Sequence, residues 1–457
     1  MSKQDGEYID KFFLMEKKFA LFLMRTNDNY PIWDIIRYKV DSFLRKSENE
    51  QSLSSHAKKD ISKSIKLFKG FIISISCLIK PLNSCLFFIS SRNKDDNSIF
   101  FDLNADGALS ALNKADVSII ETYTPYGNYK YSDYNIVLHS FIHTIKKLKY
   151  KNFKLDTEVL NEILNAIGKS FPSANLSKLS SVLNDEYSSF ISSFLFYNWL
   201  FNKNKYRLKR IFVTQNGIQK GLFLAAKKNN ILTYEFQHGS IDRTHPAYSY
   251  NSDIKYNKGD IINPNFLLTL SDYWPNLFYH PFIKNISIGN DYFNKKTKAR
   301  QKTHLTVITS NVHDMELRPV TKNIAQENPA QKIYYKLHPN QFHQFNEIEE
   351  YFLENKNVSV LTNEKNVSQL VIESKALLAV VSTAVYEALH NNTIVIILKK
   401  LNYQAHEDIF NNPNVQLIED FEGFSSIWQN DLSFVEDEYY TFFKAFNEEL
   451  FKKIVSF

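Results

Sequence analysis

The stretch 211–239, IFVTQNGIQKGLFLAAKKNNILTYEFQHG, decides the fold. It opens with an apolar run that ends in small polar residues. Apolar residues at helical spacing follow, then a lysine-rich end and a second apolar run. Strand, helix, strand over about thirty residues is a βαβ unit. Working outward, CLFFISSRN (85–93), VSIIETYTP (117–125), NFLLTLSDYW (265–274) and NISIGN (285–290) read as further strands feeding polar loops. Residues from about 150 to 205 read as helices decorating this half. DYFNKKTKARQKTH (291–304) is polar, lysine-dense and without apolar period, which predicts a linker.

Beyond the linker the alternation restarts. HLTVITSN, QKIYYKLHPN, NVSVLTNE, ALLAVVST and TIVIILKK read as strands, with NVSQLVIES and AVYEALHNN as helices between them. The class is therefore α/β, with two Rossmann-like domains facing a central cleft and extra helices at the N-terminus. The expected division is a helical segment 1–80, an acceptor domain 81–295, a nucleotide-sugar domain 296–432 and a C-terminal helix 433–457. Ligands of such sheets bind beyond the carboxyl ends of the strands, so the loops that follow strands are the informative ones.

Bulk properties agree. A chain of 457 residues, 44% hydrophobic and 23% charged, is a globular protein of more than one domain. A formal charge of +6 suits anionic partners. The two cysteines, Cys77 and Cys85, lack metal or redox spacing, which predicts a reducing compartment and no metal site. The charged N-terminus reads as no signal peptide, and no apolar run reaches the length that crosses a bilayer. A cytoplasmic protein is expected. Its basic N-terminal eighty residues read first as a solvated helical face and second as a surface for peripheral contact with the inner membrane. Lysines spread along helices, without interleaved aromatics, speak against nucleic acid as a partner.

Three motifs carry chemistry. In VVSTAVYEALHNNTIVIIL a buried strand ends in Ser382 and Thr383 at the start of a helix. Hydroxyls and free N–H groups there suit an anion, with Glu387 one turn in for a ribose diol. A plain cap at Ser382 and a solvated Glu387 is the commoner case for such a sequence; the place after a buried strand favours the anion site. In YYKLHPN, Lys336 and His338 share one side of a strand that Pro339 ends. An imidazole there can hold a departing phosphate oxygen, or simply serve the backbone. In TSNVHDMEL, Ser310 and Asn311 are candidate contacts to phosphate or sugar. No glycine-rich phosphate loop and no paired-aspartate metal signature is present in the sequence.

KLHP followed about forty residues later by strand–Ser–Thr–helix resembles the HP and S(S/T) motifs of bacterial glycosyltransferases of the GT-B fold. It is most similar to those using CMP-activated sugars, the sialyl- and Kdo transferases of capsule and lipopolysaccharide assembly. Threonine stands for the usual second serine. The resemblance implies that His338, Ser382 and Thr383 bind the donor's nucleotide phosphate. It also implies a glycan or lipid-linked glycan acceptor of a surface polysaccharide such as O-antigen, while the lack of a paired-aspartate signature predicts metal-independent transfer, with no cofactor beyond the donor. Polyol phosphotransferases of teichoic acid synthesis share the HP element, so a CDP-activated donor is the alternative. A UDP- or GDP-sugar transferase and a non-catalytic GT-B-like scaffold are further alternatives.

YEFQHGSIDRTHPAY (234–248) resembles a stretch of surface-polysaccharide glycosyltransferases. Transfer of a sugar needs a base for the acceptor hydroxyl or a carboxylate facing an oxocarbenium ion. His238 and Asp242 are the expected catalytic groups, with Glu235 as a further candidate. Arg243, His245, Gln237 and Asn216 are expected on the acceptor side. A polar loop that only orders the hinge is the plainer alternative.

Overall fold

In the computed structural model the first half of the chain forms seven parallel strands: β1 (Cys85–Ile89), β2 (Val117–Glu121), β3 (Asn135–Leu138), β4 (Arg210–Val213), β5 (Leu232–Phe236), β6 (Phe266–Thr269) and β7 (Lys284–Ser287). Their spatial order is 3-2-1-4-5-6-7. The second half forms six: β8 (His304–Ile308), β9 (Ile333–Lys336), β10 (Val358–Leu361), β11 (Ser374–Ala379), β12 (Ile394–Leu398) and β13 (Val415–Ile418), ordered 10-9-8-11-12-13. These are two doubly wound, Rossmann-like sheets, as the sequence predicts. The described residues are 4–47, 81–95, 97–122, 128–150, 153–214, 217, 219–295, 302–310, 312–400, 403–429, 433–436 and 440–456.

The central strands are continuous apolar runs because helices cover both faces. CLFFI of β1 and IVIIL of β12 are buried at every position. In these two sheets the strands not expected from the sequence, β3 (NIVL) and β13 (VQLI), both lie at edges, and a short antiparallel pair, Asn93–Lys94 with Phe100–Phe101, stands apart from both sheets. Four residues at an edge need no long apolar run, which is why neither stood out.

The N-terminal helices Gln4–Lys18 and Ile32–Ser47 are integral to the first domain. Phe12, Trp33 and Ile36 pack in one core with Leu86, Ile211 and Tyr250. Charges are buried with them. Glu16 accepts from Trp33 Nε1 at 2.8 Å and Arg37 Nε at 2.5 Å, and Lys220 pairs with Asp34 at 3.0 Å. The apolar faces of both helices are thus spent on the domain core. Residues 48–80, on which the rest of the membrane reading falls, lie outside the described residues. Among the described residues no helix is long and apolar enough to cross a membrane.

The C-terminal stretch differs from the helix expected over 433–457. Residues 440–447 are extended, and the helix is Glu448–Ser456. The extended part returns to the first domain: Asn290 N–H donates to the Lys444 carbonyl at 2.8 Å, and Asn447 N–H to that of Ile288 at 2.7 Å. Phe451 then packs on Phe212, with ring centroids 5.6 Å apart. Gly289, at φ 71°, permits this crossing, since a Cβ there would run into the Ala445 carbonyl.

Candidate active site

In the second domain the strand order reverses between β8 and β11, and the crevice at such a reversal is the ligand position of a doubly wound sheet. Ser310 follows β8 and Ser382–Thr383 follow β11, so the two loops flank it. Ser310 Oγ accepts the His313 N–H at 3.3 Å and leads into the helix Asp314–Glu327. Ser382 Oγ accepts the Ala384 N–H at 3.2 Å, opening the helix Ala384–His390. Glu387 takes the Ser368 hydroxyl at 2.6 Å, while burial pushes its carboxyl above the ordinary range. Asn311 lies outside the described residues.

His338 and Pro339 open a short 3₁₀ helix at the end of β9, and both are exposed. The Asn340 N–H donates to His338 Nδ1 at 3.2 Å, which puts the neutral ring's proton on Nε2. Among the described residues Nε2 has no partner, so an N–H donor stands open at the strand end. Lys336 corrects the expectation from the sequence. Its buried ammonium donates to the carbonyls of Lys365, at 2.7 Å, and Thr362, tying down the loop after β10. It is consumed by structure and does not reach the cleft.

The loop after β5 in the first domain comes over to meet these groups. Ser240 N–H donates to Thr383 Oγ1 at 3.2 Å. This contact joins the C-terminal edges of the two sheets and shows that they face each other. Gly239 leaves room for this approach: a Cβ there would stand 3.2 Å from the same hydroxyl, which would have to shift by a few tenths of an ångström. Two residues on, Asp242 Oδ1 accepts from Thr244 N–H at 2.6 Å and Thr244 Oγ1 at 2.7 Å. Oδ2 has no partner among the described residues. Burial raises the Asp242 carboxyl above its ordinary pKa, and its charge is felt at Tyr386 and Asp408 of the opposite domain. His238 is exposed at the cleft, has no ring partner among the described residues, and is held toward the neutral form by the atoms crowded around it. His245 stands near it, its pKa lowered by burial to about 3; its Nδ1 accepts the Ala247 N–H at 3.2 Å.

The other residues expected from this loop have structural work. Glu235 is fully buried and accepts the Tyr248 hydroxyl, so it cannot meet a substrate. Gln237, also buried, bridges Gly239 O at 2.8 Å and Leu270 N–H at 3.0 Å, shaping the turn rather than touching an acceptor. Arg243 points away from the cleft to pair with Asp10 of the first helix. Asn216 lies outside the described residues. Glu235 alternates with the strand's outward positions, but the strand is covered on both faces, and this the sequence did not reveal.

The structure adds residues that the sequence reading passed over. His406, completely buried and lowered by burial to about 4, accepts the Ser382 N–H through Nε2 at 3.1 Å. Tyr386 donates to Asp408 at 3.0 Å, and Tyr273 of the first domain donates to the same carboxylate. Trp274 beside it is buried against Tyr386, centroids 4.8 Å apart, and donates to the Phe442 carbonyl at 2.8 Å. Two arginines brace the loop from behind: Arg37 donates to the Pro246 carbonyl and Arg45 to that of Thr244 at 3.3 Å. The signal for His406 and Asp408 was present, since NYQAHED is itself a polar loop after a buried strand.

No protein-family model matches the chain, and no curated protein sequence matches it. Among solved structures it is similar to a UDP-GlcNAc 2-epimerase from Methanocaldococcus jannaschii in complex with UDP-GlcNAc and UDP. Identity is 13%, coverage 81% of this chain and 98% of that one, and the TM-score 0.46. It is also similar to Acinetobacter baumannii MurG (10%, 76% and 90%, 0.40) and to the calicheamicin glycosyltransferase CalG4 (10%, 82% and 94%, 0.43). Likeness at this level carries no functional argument.

Proposed function

We propose that the protein is a glycosyltransferase that moves a sugar from a nucleotide-activated donor in the second domain to an acceptor in the first. The observation that carries this reading is the Ser240–Thr383 contact. It brings the loop with His238 and Asp242 over the strand ends that bear Ser310, His338 and Ser382. In this reading His338 Nε2–H and the Ser382 hydroxyl stabilise the phosphate oxygen as the glycosidic bond to it breaks. Glu387 takes the ribose diol. Asp242, or His238 acting in its neutral form, accepts the proton of the attacking hydroxyl, and a raised carboxyl and a lowered imidazole are both tuned toward that task. Hydrogen bonds from protein groups stabilise the leaving phosphate in this reading, and transfer proceeds without a metal.

The HP and S(S/T) pattern favours a CMP-activated donor of the Kdo or sialic acid type and a bacterial surface glycan as acceptor. A UDP-sugar is equally compatible with the fold, and a CDP-polyol donor remains the alternative of a different chemistry. Peripheral contact with the inner membrane, where lipid-linked acceptors reside, belongs to the same proposal.

Calorimetric titration with CMP, CDP, UDP and GDP, repeated on His338→Ala, tests it. CMP binding weakened about tenfold or more by the substitution supports the proposed donor, the loss expected for a hydrogen bond to a charged group. Preference for UDP or GDP replaces the donor and keeps the reaction. Binding of none of the four refutes the transferase reading.

A further inference from the structure

A cavity of about 580 Å³ opens on the first domain between the helix Gln4–Lys18 and the loops after β5 and β6. Its volume falls in the range of ~300–1,000 Å³ usual for ligand sites. Arg243 lines it, and Arg243 follows Asp242 directly, so the loop that carries the reacting carboxylate is also the wall of this cavity.

The chemistry of the lining is specific. Its charges are paired off at the rim: Arg243 with Asp10, and Lys17 with Asp253 at 3.2 Å. With them stands the uncharged amide of Asn276, whose Nδ2 donates to the Asp272 carbonyl at 3.1 Å and whose oxygen has no partner among the described residues, beside the rings of Phe278 and Tyr279. The Asn251 amide is engaged, donating to the Phe13 carbonyl at 3.4 Å and accepting the Asp253 N–H at 2.9 Å. Tyr279 is 44% exposed. A nucleotide or an acidic peptide would call for unpaired cations. Paired charges, an open amide oxygen and an open aromatic face suit instead a neutral polyhydroxyl ring, which offers hydroxyls at its edge and polarised C–H bonds toward the negative ring face.

We infer that this cavity is a holding site for uncharged sugar units of an extended acceptor, lying against the outer side of the loop whose inner side bears Asp242. The inference rests on the transferase reading for the word acceptor, and on the cavity alone for sugar binding. Because the site lies behind the loop, it takes units remote from the reacting hydroxyl, so affinity grows with acceptor length.

The test uses saturation-transfer NMR and calorimetry on the full chain with neutral malto-, cello-, xylo- and chito-oligosaccharides of two to six units. At least one series is expected to bind more tightly with length, and Tyr279→Ala and Asn276→Ala are each expected to weaken it about fivefold or more. Both side chains are exposed, and a melting curve of each variant confirms that it is folded. His338→Ala is expected to leave sugar binding unchanged. No binding by any series, or binding that neither cavity variant alters, overturns the inference. The nucleotide titration separates the two failures. Nucleotide bound without sugar sinks the cavity and spares the transferase. Sugar bound to the cavity without nucleotide does the reverse.

Discussion

The backbone N–H of Ser240 and the hydroxyl of Thr383 meet at 3.2 Å, although 143 positions separate them in the chain. Each belongs to the loop after a central strand of its own sheet. The bond therefore fixes how far apart the two halves of the candidate site stand. It also commits one lone pair of the threonine hydroxyl, leaving its proton to point elsewhere.

Thr383→Val keeps the shape and removes the hydroxyl. We expect nucleotide affinity and turnover each to fall by roughly ten- to a hundredfold, the loss of a hydrogen bond to a charged group. Thr383→Ser should restore most of both. Titration and steady-state kinetics on the two variants check this, and a valine variant of full activity would remove the contact from the mechanism.

Asp242→Asn is expected to cut kcat by roughly 10²–10⁴-fold with nucleotide binding unchanged, as for loss of a general base. His238→Ala serves as the comparison. If the histidine variant shows the large loss and the asparagine variant does not, the base is His238 and Asp242 holds the loop.

Arg37 is completely buried against Glu16, whose carboxyl is pushed up by burial and held down by the guanidinium. Arg37→Met leaves that carboxylate buried without its partner. A cost of ~3–5 kcal/mol is expected, with the melting temperature falling by about 10 °C. Calorimetric scans decide, and an unchanged Tm would mean that the N-terminal helices are not part of the first domain's cooperative unit.

His406 and His245 are both held neutral, at about 4 and about 3 against an ordinary 6.5. Unfolded, they take up protons near pH 6.5; folded, they do not. The stability they contribute is thus complete above 6.5 and lost as pH falls through the folded values, at ~1.4 kcal/mol per pH unit for each. The raised carboxyls of Asp242, Asp408 and Glu387 act in the opposite sense. Comparing urea midpoints of wild type and His406→Asn at pH 7 and pH 5 isolates the histidine. The wild type should lose more on acidification, and equal losses would show that His406 is protonated in the folded protein.

Two parallel-sheet halves were legible in the sequence because central strands, covered on both faces, must be apolar without interruption, and such runs at βα spacing are hard to mistake. The loops that follow them could be named for the same reason. His338, Ser382 and Thr383 could be placed at strand ends from local pattern alone, since the turn is set by Pro339 and by the cap. What local pattern could not tell was the direction of a side chain once other elements covered it. Lys336 and His338 share a side of the strand by periodicity, yet only the second reaches solvent, because the loop after β10 folds over the first and offers it two carbonyls. Glu235, inside β5, and Asp242, in the loop that follows it, are acidic residues of one short stretch. Tyr248 closes over one, and the opposite domain opens beside the other. The sequence by itself determined which segments become strands and which loops stand at their ends, because that depends on residues a few positions apart. Only the tertiary structure decided which polar groups are consumed in holding the loops and which remain free for a ligand, because that depends on partners from other elements, 13 positions away for Glu235, 26 and 29 for Lys336 and 143 for Thr383.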